Sequence, residues 1–350
     1  MSAPGLGRVV RVPLAGVSLR VAPRVLAVCA LLAALCFALF VLSIGSGSYP
    51  LSFGQVVTAL LGGGDAATTL VVETLRLPRA LTAVLVGGAL GAAGAIFQSI
   101  TRNPLGSPDV IGFTSGAAAA AVLVIVAFGG STFAIAAGSV AGGLLTAVAV
   151  YLLAWRGGVS GYRLVLVGIG LSAMLLALTD YLLTRARVED ALVAASWIVG
   201  SLDDRGWEHV RPIALALVVL VPLVALLSRP LRALELGDDA AAALGVTPER
   251  ARLALLVVGV LLTAVATAAA GPIVFVALAA PQIGRRLTRA AGPGVGTAAL
   301  TGAVLLLASD LAAQHLLPDR RLPVGIVTGV AGGVFLLWLL SHEWRGSRRG

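Results

Sequence analysis

Apolar runs recur along nearly the whole chain, each closed by a short stretch carrying arginine, proline, glycine or aspartate. About 20 apolar residues suffice for a helix to cross a hydrocarbon layer roughly 30 Å thick. On that measure the pattern predicts about ten membrane helices, near 25–45, 80–100, 109–128, 132–154, 163–184, 210–228, 252–270, 272–290, 297–316 and 323–341. No sizeable soluble domain fits between them. The expected organisation is a polar cytosolic segment at 1–24, a single all-α polytopic membrane domain at 25–341 and a basic cytosolic tail at 342–350. The first apolar run is long and lacks a small-residue cleavage pattern before Tyr49, so it reads as an uncleaved span.

Two polar interruptions stand out. In "FQSITRNPLGSPDVIGF", Phe97 to Phe113, the residues Gln98, Arg102, Asn103, Pro104, Pro108 and Asp109 break the apolar pattern. The prolines disfavour helix just before them, and Asn103 supplies turn chemistry, so the segment is expected to turn the chain at the cytosolic mouth. The second, "RPLRALELGDDAAAALGVTPERAR" from Arg229 to Arg252, is too polar to span and too long for a simple turn. Gly237 should break it, Asp238 and Asp239 suit the first turn of a short helix, Gly245 can end that helix, and Thr247-Pro248 fits a cap followed by the first position of the next helix. Two short helices are expected. Such helices are marginal alone in water and need something to dock against.

Charge sets the orientation. Placing the N-terminus inside puts 17 of the 25 arginines in cytosolic segments and leaves both termini cytosolic, in line with the excess of basic residues in cytoplasmic loops. The net charge of +9 is dispersed in short clusters between apolar runs, which suits lipid headgroups rather than nucleic acid. The absence of lysine excludes a phosphate-binding GxxxxGK[ST] loop, so ATP, if used, binds another subunit. Glycines four residues apart, at Gly87/Gly91, Gly138/Gly142 and Gly325/Gly329/Gly333, predict close helix packing, the last triplet being the best candidate for a seam with another subunit.

Few residues carry chemistry. Gly158-Val159-Ser160-Gly161 matches a serine-hydrolase pattern, but Ser160 lies between Arg156 and Arg163 at an aqueous face, and His209, His315 and His342 fall near helix ends, so no serine–histidine pair is expected. Cys29 and Cys36 share one face of the first run and read as apolar packing. Asp180 and Asp310 lie near the outer ends of apolar helices, where a carboxylate needs water or a partner; a proton relay, as in a secondary transporter, is the alternative. Arg76 and Arg79 in "RLPR" stand at the start of a helix, where arginines commonly serve as interfacial anchors.

The run "LRLPRALTAVLVGGALGAAGAIFQSITRNPLGSPDVIGFTSGA", with "GPIVFVALAAPQIGRRL" (Gly271–Leu287) and "LPVGIVTGVAGGVFLLWLL" (Leu322–Leu340), resembles the FecCD family of iron-siderophore and cobalamin ABC importer permeases, from about Val71 to the C-terminus. The resemblance implies a type II ABC importer permease bundle that is not itself an enzyme and binds no cofactor, with ATP-Mg on a partner ATPase. The implied partners are a second homologous permease in a heterodimer or homodimer, two ATPase subunits and a siderophore-binding protein. Within the family the motifs look most like permeases for ferric enterobactin and related catecholates, with cobalamin, heme or other siderophores as alternatives. The resemblance further implies docking of the binding protein on Arg76, Arg79, Arg320 and Arg321, and ATPase coupling through Leu236, Gly237, Asp238, Asp239, Ala242, Leu244 and Gly245. Gln98, Arg102, Asn103, Pro104 and Pro108 would form a cytosolic gate loop. Two departures are visible: Gln314 stands four residues after Asp310 where the family often has arginine, and Gln282 stands where it has histidine.

Overall fold

A computed structural model describes residues 8–12, 17–47, 49–156, 158–290, 292–317 and 322–347. Strands β1 (Arg8–Val12) and β2 (Val17–Val21) pair antiparallel with Arg8 opposite Val21. This hairpin lies in the N-terminal segment, for which the sequence reading gave no secondary structure; the described residues after it form only helices and their connections. Both strands are rich in valine, whose branched Cβ favours extended backbone.

The helices are α1 (Pro23–Gly45), α2 (Phe53–Leu60), α3 (Ala66–Leu70), α4 (Leu77–Thr101), α5 (Phe113–Phe128), α6 (Thr132–Ala154), α7 (Gly161–Arg185), α8 (Val188–Ile198), α9 (Trp207–Glu235), α10 (Asp238–Ala243), α11 (Pro248–Ala270), α12 (Val276–Thr288), α13 (Val295–His315) and α14 (Val324–Ser347). A π-helical turn, Val71–Arg76, joins α3 to α4. The helices α1, α4 to α7, α9 and α11 to α14 fall at the predicted positions. Among the described residues seven are long and apolar enough to cross a membrane unaided, counting Ala66–Thr101 as one. The apolar helix α5 is shorter, as is the Val324–Trp338 part of α14, and α12 has 13 residues.

Two helices start later than the apolar pattern indicates, α5 at 113 rather than 109 and α12 at 276 rather than 272. Positive φ angles at Gly112 (92°), Gly271 (75°) and Phe275 (69°) hold the preceding backbone out of the helix. Backbone outside a helix near a bilayer needs protein or water to satisfy it. Here Gly168 of α7 lets the backbone of Ile111 lie directly against it, and Gly112 sits against Ser172.

The buried centre is α4, which packs against α13, α11, α12 and α9. The expected role of Gly87 and Gly91 in close packing is met by the backbone of Gly302 and Ala298 on α13, and Gly94 meets the backbone of Ala277 on α12. Gly94→Val is expected to destabilise the protein by about 3 kcal/mol or more, the upper part of the overpacking range, because backbone cannot move aside as a side chain can. Gly88→Ala, with its nearest neighbour 3.8 Å from the new methyl, should be neutral in the same thermal-unfolding measurement.

Long-range contacts establish which helix ends lie together. Arg24 at the start of α1 donates to Leu287 near the end of α12 (3.0 Å), and Ser99 near the end of α4 donates to Glu235 at the end of α9 (2.6 Å). Arg286 lies 4.8 Å above the Trp338 ring of α14. At the opposite end Trp207 Nε1 donates to Glu73 O (2.9 Å), Ser201 N to Ala270 O (2.9 Å) and Gly325 N to Gly200 O (3.1 Å). The start of α1 and the later part of α14 therefore share one end, the one that carries α10; α8 lies at the other.

Candidate functional site

At the α10 end the structure brings together residues that are far apart in the chain. Arg102 caps α4 in the left-handed region (φ 50°), and Asn103 Oδ1 accepts from Leu105 N (2.9 Å), which turns the chain. Gln98, buried, donates to Leu278 O (3.0 Å) and accepts from Gln282 Nε2 (2.9 Å) and from Arg285. Gln282 also donates to Pro104 O (3.0 Å). Gln282 is thus a tie between α12 and the loop that follows α4. Pro108 is buried while Pro104 faces outward. Beside the loop, Thr101, Arg102, Asn103 and Pro104 face Tyr162, Leu166 and Ile169 of α7 across a cleft of about 380 Å³.

The segment Arg229 to Arg252 follows its sequence signals with one change. Gly237 (φ 109°) and Gly245 (φ 80°) bracket α10, and Pro248 opens α11. Only one short helix forms, because Arg229 to Glu235 continue α9, which carries Pro212, Pro222 and Pro230 without ending. Asp238 anchors α10: its carboxylate accepts two bonds from Arg252 (both 2.9 Å) and one from Arg102 (2.7 Å). Arg252 is buried and also donates to Glu249 (3.0 Å). Asp239, Ala242, Leu244 and Gly245 are exposed, and Leu236 beside them is 69% exposed. A polar chain therefore runs from α10 through Asp238 and Arg102 to the loop, and from Pro104 to α12.

At the α8 end Arg76 donates to Ile44 O (2.8 Å) and Tyr49 O (2.6 Å). Arg79 contacts Asp203 and Asp310 and is only 14% exposed. Arg320 and Arg321, expected with them, lie outside the described residues. The α8–α9 loop adds Asp203 and Arg205, which the sequence reading did not single out. Arg205 donates to Ser201 O (3.1 Å) and to His209 Nε2 (2.9 Å). An arginine only donates, so that nitrogen accepts and the ring proton sits on Nδ1, 3.2 Å from Glu208 Oε1. Burial pushes the Arg205 pKa down, and Asp204, Asp203 and Glu208 oppose the fall. Asp180 is exposed on α7.

Ser160 is a helix cap: its hydroxyl accepts from Arg163 N (3.4 Å) and Arg163 Nε (3.0 Å). Of the last glycine triplet, Gly325 packs against Val199 within the chain, whereas Gly333 has open space where a methyl would stand.

Residues 35–342 match the FecCD transport family. The chain is 48% identical to the ferric enterobactin transport system permease protein FepG of Escherichia coli strain K12, over 93% of this chain and 98% of that one. It is 39% identical to the achromobactin transport system permease protein CbrC of Dickeya dadantii strain 3937, over 88% and 89% of the two chains. Among solved structures it is similar to an inward-facing conformation of a metal-chelate type ABC transporter, with a TM-score of 0.79 and 29% identity, over 91% of this chain and 99% of that one.

Proposed function

The chain belongs to the FecCD transport family of multi-pass membrane permeases, and from that premise we propose that it is the permease subunit of an ATP-driven importer of a ferric catecholate siderophore of the enterobactin type. The observation that carries the reading is α10, a six-residue helix that leaves Asp239 and Ala242 exposed among the described residues and whose first residue is held by two arginines from different elements. A helix this short is not stable alone; it is anchored on one side and presented on the other. An ATPase subunit is the occupant this reading assigns to the exposed face, with the α10 end cytosolic.

The mechanism follows from the contacts. Nucleotide-driven closure of the two ATPases would move α10 as a rigid element. Asp238 would carry that movement to Arg102 and Arg252, and Pro104 and Gln98 would carry it to α12. Such a shift of packed helices is a known form of switching. The pathway would lie between two permeases, and a bulky anionic chelate passes best where no site holds it tightly. Binding-protein docking is proposed for the α8 end, through Arg76, Arg320 and Arg321 as the family resemblance implies; Arg79, which the resemblance adds to them, is already held by Asp203 and Asp310.

Asp239→Arg reverses a charge on the exposed face without touching the Asp238 anchor. Uptake of ferric siderophore is expected to fall sharply, with ATP hydrolysis uncoupled from it; unchanged iron uptake would remove α10 from the mechanism. For the cargo, expression in a permease-deficient strain should restore growth on ferric enterobactin as the iron source. Growth restored only by citrate, hydroxamate or cobalamin would reassign the substrate within the family.

A further inference from the structure

We propose that Arg79 is a positioning residue of the α8–α9 loop, its charge committed inside the chain rather than offered to an external partner. Asp310 is fully buried on α13. Arg79 grips it with both arms of its fork, Nε to Oδ2 at 3.0 Å and Nη2 to Oδ1 at 2.8 Å, and Gln314 donates to Oδ2 at 2.8 Å. The remaining arm, Nη1, reaches Asp203 Oδ1 at 2.5 Å. One guanidinium therefore ties α4, α13 and the loop together, a geometry that a planar fork supports and a point charge does not.

The departure at Gln314 fits this arrangement. An arginine there would compete with Arg79 for Asp310, whereas an amide adds a donor without adding charge. The electrostatic balance points the same way. Arg79 with Asp203 and Asp310 sums to one negative charge, so this triad offers no net positive charge to an acidic surface. Backbone bonds also hold the loop, Ser201 on Ala270 and Gly200 on Gly325, and Arg205 ties it to His209 of α9. Arg79 supplies its ionic attachment to α4. Asp203 is oriented for this by its own N–H, which donates to Ser201 Oγ at 3.0 Å.

The test is a distance measurement on the full chain in lipid nanodiscs, with Cys29 and Cys36 replaced by alanine and spin labels at Asp204→Cys and Leu316→Cys, both exposed. The starting protein should give one narrow distance. Asp203→Asn leaves the buried Arg79–Asp310 pair intact, so the protein should fold with an unchanged unfolding temperature, yet the distance distribution should broaden. Asp203→Glu should restore the narrow distribution, and Arg79→Lys should not. A narrow, unshifted distribution in Asp203→Asn or in Arg79→Lys would overturn the proposal. No transport enters the readout, so its failure is separate from any failure of the import reading.

Discussion

Asp238→Lys is expected to abolish siderophore uptake by the assembled transporter while ATP hydrolysis continues. In the native chain one carboxylate serves two guanidinium groups, Arg102 at 2.7 Å and Arg252 at 2.9 Å. These contacts differ in weight. The Arg102 pair is about half exposed on both sides, and such pairs contribute about 0–1 kcal/mol; its value is geometric. Arg252 is 4% exposed, and losing a partner there exposes the protein to the cost of an uncompensated buried charge, about 3–5 kcal/mol when a pair is broken outright. Glu249 still accepts from Arg252, so the bundle should survive. A lysine at 238 would place three cations together and expel α10 from its seat. Uptake of labelled ferric siderophore and phosphate release, measured on the same proteoliposomes, check this. Asp238→Glu should retain most of the uptake. Coupled transport by the lysine variant would mean that α10 does not transmit through this residue.

Arg79→Met is expected to cost about 3–5 kcal/mol of stability, because it leaves the carboxylate of Asp310 buried with only an amide partner. The informative comparison is Arg79→Met with Asp310→Leu. Replacing both members of a buried pair by apolar groups is often neutral, and Asp203, less buried than Asp310, can turn to water. The double variant should recover most of the loss. Thermal unfolding of the single and double variants gives the interaction energy directly. Additive losses would show that Arg79 and Asp310 do not depend on one another.

The helical positions were legible because their cause is local. Apolar runs long enough to span, Gly237 and Gly245 around α10, and Thr247-Pro248 before α11 act within a few residues of where they stand. Arg79 and Asp310 are 231 positions apart, and nothing local marks them as partners; the one available signal was that a carboxylate near the end of an apolar helix needs water or a partner, without saying which. The late starts of α5 and α12 were missed for a related reason. Ile111 and Val274 belong to apolar runs, but the positive φ at Gly112, Gly271 and Phe275 belongs to the folded backbone and leaves no mark in hydropathy. Gln282 was visible as a departure from the family pattern, yet its bonds to Gln98 and Pro104 required the fold.

Reconstitution into vesicles, first of this chain alone and then with its ATPase, its permease partner and its binding protein, decides whether the chain is a conduit driven through α10. Uphill accumulation of ferric siderophore is expected only in the full assembly with ATP, abolished by vanadate and indifferent to ionophores. Accumulation by the chain alone, driven by an ion gradient and collapsed by an ionophore, would contradict it.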